Sequence, residues 1–105
     1  MTLKETREYT TIYNHAKKWH YEGALVFFQE DTTKRVGFTA SKKVGNAIKR
    51  NLAKRRLRAI FLEIQPTLQD GVYVFVAKEK IHHIPYDTLK KGLMWSMKKL
   101  NCVKE

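Results

Sequence analysis

The sequence predicts an α+β fold, one small domain in which helices pack on a single sheet. Two observations predict it. Apolar residues switch between helical and strand spacing in the order helix, strands, helix, strand, helix. The 105 residues, 43% of them apolar and twelve aromatic, are enough for one core and show no repeat, linker or low-complexity segment.

Thr2-Leu3-Lys4-Glu5 has the capping-box spacing that opens a helix. Leu3, Tyr9, Ile12, Tyr13 and Ala16 then recur at helical spacing, so a first helix is expected over about residues 3–18. Ala24 to Phe28 is a continuous apolar run, as in a buried strand, and Glu30 to Thr33 supplies a turn. From Arg35 to Ser41 the residues alternate: Val36, Phe38 and Ala40 face one way, and Arg35, Gly37, Thr39 and Ser41 the other. Gly45-Asn46 ends that strand, and Asn46 is a suitable cap for a helix reaching Ile64. Pro66 and Gln69-Asp70-Gly71 close the helix. Val72 to Ala77 follows as a strand, with Val72, Val74 and Val76 opposite Tyr73 and Phe75. His82 to Pro85 connects to a last helix from Tyr86 to about Asn101. Trp95, Leu93, Met94, Met97 and Leu100 are expected to pack it, with Lys90, Lys91, Lys98 and Lys99 as solvated surface.

Charge is distributed unevenly. Of a net +11, +10 lies between Thr32 and Leu62, where ten cations stand without an acid. Self-repulsion of this density disfavours a compact state unless a polyanion neutralises it. Six of these cations fall on the expected central helix with no acid to pair at i,i+4. Arg50, Asn51, Lys54 and Arg58 share one side of it, while Ala53, Leu57, Ile60 and Ile64 form an adjoining apolar stripe. Arginine suits bidentate phosphate recognition, so the helix reads as a nucleic-acid contact. The single cysteine, Cys102, fits a reducing, cytoplasmic setting. No apolar run approaches the roughly 20 residues that span a bilayer, and no membrane partner is expected.

Arg35 to Arg58 carries a resemblance. A strand leads into Ser41-Lys42-Lys43-Val44-Gly45-Asn46-Ala47, then a helix bearing Arg50-Asn51-Leu52-Ala53-Lys54-Arg55-Arg56-Leu57-Arg58. This resembles the signature of the bacterial ribonuclease P protein subunit, with Leu52 where the family's Arg-Asn-Arg has its second arginine. Tyr9-x-x-Ile12-Tyr13 and Asp70-Gly71 before an apolar strand are similar too, so the likeness extends over nearly the whole chain.

The resemblance implies an α-β sandwich with a central four-stranded sheet in the order αβββαβα. It also implies a left-handed βαβ crossover through the basic helix, a hand that periodicity cannot show. It implies a protein cofactor of a catalytic RNA that removes the 5′ leader of precursor tRNA, with Mg2+ held mainly by RNA. Asn46, Arg50, Asn51, Lys54, Arg55 and Arg58 would grip the catalytic RNA, and Arg35, Lys42 and Lys43 would extend that surface along the strand. Tyr9, Tyr13, Val26, Phe28 and Thr39 would line a cleft for the leader. Aromatics at helical spacing are as a rule core residues; tyrosine, with its polar edge, also suits a half-open cleft where bases stack.

The ten acids are scattered, and His82-His83 are adjacent, so neither a carboxylate cluster nor a His pair for acid–base cleavage is legible. The chain is therefore not expected to do chemistry by itself, in agreement with the catalytic RNA that the resemblance implies. A structural RNA-binding protein such as a ribosomal one remains the alternative. It would need the basic helix but no open aromatic cleft.

Overall fold

The structure, a computed structural model, describes residues 6–104. The expected capping box, Thr2 to Glu5, lies outside them. Three helices, α1 (Thr6–His15), α2 (Ala47–Ile64) and α3 (Tyr86–Lys99), surround four strands: β1 (Lys17–His20), β2 (Ala24–Glu30), β3 (Lys34–Ala40) and β4 (Gly71–Ala77). The order is αβββαβα. The sheet runs β1-β2-β4-β3, antiparallel except for the parallel β3–β4 pair, whose connection passes through α2.

β2 and β4 are the inner strands, and the sheet is covered on both faces. On one face α2 and α3 bury the main core, with Val26, Phe28, Tyr73 and Phe75 from the sheet against Leu57, Ile60, Phe61, Leu89 and Leu93. On the other, α1 sets Ile12 on Phe27, Val72 and Val74. Two-sided burial explains why Ala24 to Phe28 reads as an unbroken apolar run.

Two expected elements change. The first helix stops at His15, and Lys17 to His20 pairs antiparallel with Leu25 to Phe28 instead of prolonging it. Trp19 on this strand packs against the main core, a gain that outweighs one more helical turn. Trp95, expected to pack α3, is 55% exposed; Leu89, Leu93, Met97 and Leu100 hold that helix down without it.

α2 starts as expected. The Asn46 side-chain oxygen accepts from the Lys49 amide at 3.0 Å. Just before it Gly45 has φ +138°, a conformation an L side chain rarely adopts, which lets the chain turn from β3 into α2.

Candidate nucleic-acid interface

α2 lies over β3 and β4, with Ala53, Leu57, Ile60, Phe61 and Ile64 buried. At 100° per residue, Arg50, Lys54 and Arg58 fall on the flank beside the open edge of β3. Arg58 confirms the placement: its guanidinium lies 5.6 Å from the Phe38 ring centroid on β3. Asn51 and Arg55 are exposed just outside this row. Cations spaced along a rigid rod keep their positions when a phosphate arrives, so little order has to be imposed on binding.

The remaining cations of the basic window divide by task. Arg56 faces away from the β3 edge and donates to the carbonyls of Ile81 and Ile84 at 2.6 and 2.5 Å, tying α2 to the loop before α3. His82 joins the same contact, its Nε2 2.9 Å from the Lys49 carbonyl. Lys34 donates to the Gln65 carbonyl at 2.8 Å, and burial lowers its pKa. Lys42 and Lys43 stand exposed on a short 3-10 turn, where the Ser41 hydroxyl accepts from the Lys43 amide.

Arg35 departs from expectation. Its guanidinium reaches Glu8 of α1 at 2.8 Å and Asp31 at 3.3 Å. Two carboxylates neutralise it, so Arg35 fastens α1 to β3 and does not extend the cationic surface. Asn46 is likewise committed through its oxygen to the helix cap and contributes at most its amide hydrogens outward.

The α1 face of the sheet holds a half-open aromatic cleft. Tyr9 and Tyr13 stand one turn apart with ring centroids 6.2 Å apart, and Tyr13 lies 5.0 Å from Phe27. Tyr13 is 42% exposed. Tyr9 is more enclosed, and burial raises its hydroxyl pKa. Its ring crosses directly over Gly37, where any Cβ would collide with the phenol. Thr39 lies on this face, and with Leu25 it flanks Val76 across the sheet, all three half-buried.

Val26 and Phe28, expected in the cleft, are not there. They are 0% and 1% exposed and point into the core beneath α2 and α3. Their neighbours Leu25 and Phe27 face α1 instead, Leu25 half-buried and Phe27 buried against Ile12 and Tyr13. Successive strand side chains point to opposite faces, so a shift of one residue exchanges floor for core. An unbroken apolar run carries no alternation from which to choose. The signal available was in β4, where Val72, Val74 and Val76 form the face that Leu25 and Phe27 must share.

Sequence reasoning also missed the rim. Lys18 pairs with Phe27 and His20 with Leu25 in the β1–β2 ladder, which sets both exposed side chains beside the cleft floor. Leu25, Val76, Ser41 and Lys43 line an open groove of 440 Å³, together with Glu22, Lys78, Glu79 and Lys80. The face is an apolar, partly aromatic floor with cations at its margins, and the β3 edge joins it to the Arg50–Lys54–Arg58 row. Such a surface can stack unpaired bases and hold their phosphates. Among the described residues no three His, Cys, Asp or Glu side chains gather as a metal site.

Comparisons with known proteins all point to one family. Residues 1–101 match the family model described as Ribonuclease P. A ribonuclease P protein component of a Nitratiruptor species is 45% identical over 80 residues, covering 76% of this chain and 73% of the relative. One from Streptococcus agalactiae is 31% identical over 98 residues, covering 91% and 90%. Among solved structures, the Staphylococcus aureus RNase P protein superposes with TM-score 0.86 at 20% identity, covering 98% of this chain and 97% of that one. The Thermotoga maritima protein gives 0.82 at 24% identity, with 94% and 96% covered.

Proposed function

This chain belongs to the ribonuclease P protein family, and from that premise we propose that it binds the enzyme's catalytic RNA and the 5′ leader of precursor tRNA together. The observation that carries the reading is the pair of surfaces joined around the β3 edge. One is a cationic row fixed on a helix, and the other is a half-open aromatic cleft.

In this reading Arg50, Lys54 and Arg58, with Asn51 and Arg55 beside them, meet phosphates of the catalytic RNA. The leader lies in the α1 cleft, its bases against Tyr13 and Tyr9. Lys18 and Lys43 face its phosphates from either margin, and Lys42 adds charge at the turn. Each stacked base contributes roughly 1–3 kcal/mol. The protein acts by holding two polyanions side by side with cations already in place. Bond cleavage, and the Mg2+ that serves it, are assigned to the RNA subunit and substrate. This chain's carboxylates are engaged elsewhere or scattered: Glu8 and Asp31 hold Arg35, and Glu63 accepts from Tyr86 at 2.6 Å.

Two measurements test the reading. Purified protein added to the cognate RNA should restore precursor-tRNA cleavage at low Mg2+, with the gain shrinking as Mg2+ is raised. Shortening the leader to one nucleotide should remove most of the protein's effect on substrate affinity. A protein that binds RNA but leaves cleavage unchanged at every Mg2+ concentration would favour the scaffold alternative.

A further inference from the structure

The outer face of α3 carries a feature that neither the cleft nor the basic row uses. Leu89, Leu93, Ser96, Met97 and Leu100 point into the core, and at 100° per residue Lys91, Trp95 and Lys98 point outward. Trp95 is 55% exposed. A large apolar ring left in water on a helix that already has its core stripe adds nothing to the core. Its position is nevertheless defined. Lys99 Nζ stands 4.5 Å from the Trp95 ring centroid and 5.8 Å from that of Trp19 on β1, so one cation spans both indoles. Beyond Trp95 an open groove of 470 Å³ is lined by Lys90, Lys91, Met94, Lys98 and Asp87. Lys90 reaches Glu63 at 3.5 Å, whereas Lys91 and Lys98 have no ion-pair partner among the described residues.

We infer that the outer face of α3 is a second RNA contact. An unpaired nucleotide of the ribonuclease P RNA stacks on Trp95, and Lys91 and Lys98 hold the phosphates on either side of it. The inference rests on the proposed function and extends it to a surface on the far side of the sheet from the leader cleft. Charge complementarity selects the occupant, since a flat aromatic face between unpaired cations is how proteins hold single strands. A lipid surface would need a broad apolar face, and the apolar residues of α3 other than Tyr86, Met94 and Trp95 are spent on the core, with Tyr86 tied to Glu63. The source is the RNA subunit and not the leader, because the whole sheet separates this face from the α1 cleft.

The full chain carrying Trp19→Phe leaves Trp95 as its one indole. Titration with ribonuclease P RNA alone should quench Trp95 fluorescence. Trp95→Ala should weaken that binding by about 5- to 150-fold, with Trp95→Phe keeping most of it. Lys91→Ala with Lys98→Ala should flatten the salt dependence by about 1.4–1.8 in log–log slope. Trp95 is exposed, so circular dichroism should be unchanged in each variant. An unquenched Trp95 and unaltered affinity in Trp95→Ala, while Lys54→Ala still loses affinity, would overturn the second contact and spare the proposed function. Wild-type protein that fails to bind this RNA would overturn both. Quenching by leader-bearing precursor tRNA but not by ribonuclease P RNA would overturn the assigned source. A blue shift on phosphatidylserine vesicles without any response to RNA would overturn the ligand class.

Discussion

Phe28 and Tyr13 lie on opposite faces of the sheet, and truncating them should fail in opposite ways. Phe28 is 1% exposed and its ring packs 5.0 Å from Tyr73. Phe28→Ala should therefore cost about 3–5 kcal/mol of stability, read by urea unfolding. Tyr13→Ala should leave the fold nearly intact but weaken leader-bearing precursor tRNA by roughly 1–3 kcal/mol, with mature tRNA hardly affected. Equal losses on both substrates would return Tyr13 to a structural role. Cys102 gives a pH-dependent prediction. Burial pushes its thiol up to about 11 from an ordinary value of 9.0, so the folded chain holds that proton more tightly than the unfolded one. The resulting stabilisation is complete below about pH 9 and is lost as pH rises through about 11. The stability difference between wild type and Cys102→Ala should shrink over that interval, and thiol labelling at neutral pH should wait for unfolding.

At the scale of elements, α2 was almost fully legible and β2 was not. Asn46 as cap, Ile64 as end and the Ala53–Leu57–Ile60–Ile64 stripe all follow from spacing, because one side of that helix is buried and the other solvated. The alternation of β3 set its faces correctly, and β4, buried on both sides, still showed its two faces because one is valine and the other aromatic. β2 lies between two packed layers, where both sides are apolar and the alternation disappears, so its parity is set only by pairing with β4. β1, four residues with a single inward ring, is too short to show a period at all. The basic row invites a direct comparison with the clamp. Arg50→Ala, Lys54→Ala and Arg58→Ala should each flatten the salt dependence of RNA binding by about 0.7–0.9 in log–log slope. Arg35→Ala should leave that slope unchanged and instead loosen α1 from the sheet, seen as lower stability and faster amide exchange in α1. A slope change for Arg35 equal to that for Lys54 would mean that its carboxylate partners release it to RNA.

For the whole molecule, a net charge of +11 is held within a radius of gyration of 12.7 Å, comparable with the screening length of about 10 Å at 0.1 M salt. The free protein should melt at higher temperature as salt is raised, because screening relieves repulsion in the folded state. Bound RNA should do the same by linkage. At about a hundred times its Kd it adds about 2.7 kcal/mol, or roughly 10–20 °C in a domain of this size. A melting temperature that falls with salt and ignores RNA would show that the charge is already balanced internally.

The sequence by itself determined where the charge lies, which segment carries it as a helix, and the family to which that segment's order belongs. These are local properties, written in composition and in the period of half-buried elements. Only the tertiary structure decided the rest. It committed Arg35 to two carboxylates, turned Phe27 instead of Phe28 to the α1 face, made a strand of Lys17 to His20 and left Trp95 in solvent. Each of these depends on what a distant segment places opposite the residue, and spacing along one strand or helix carries no record of that neighbour.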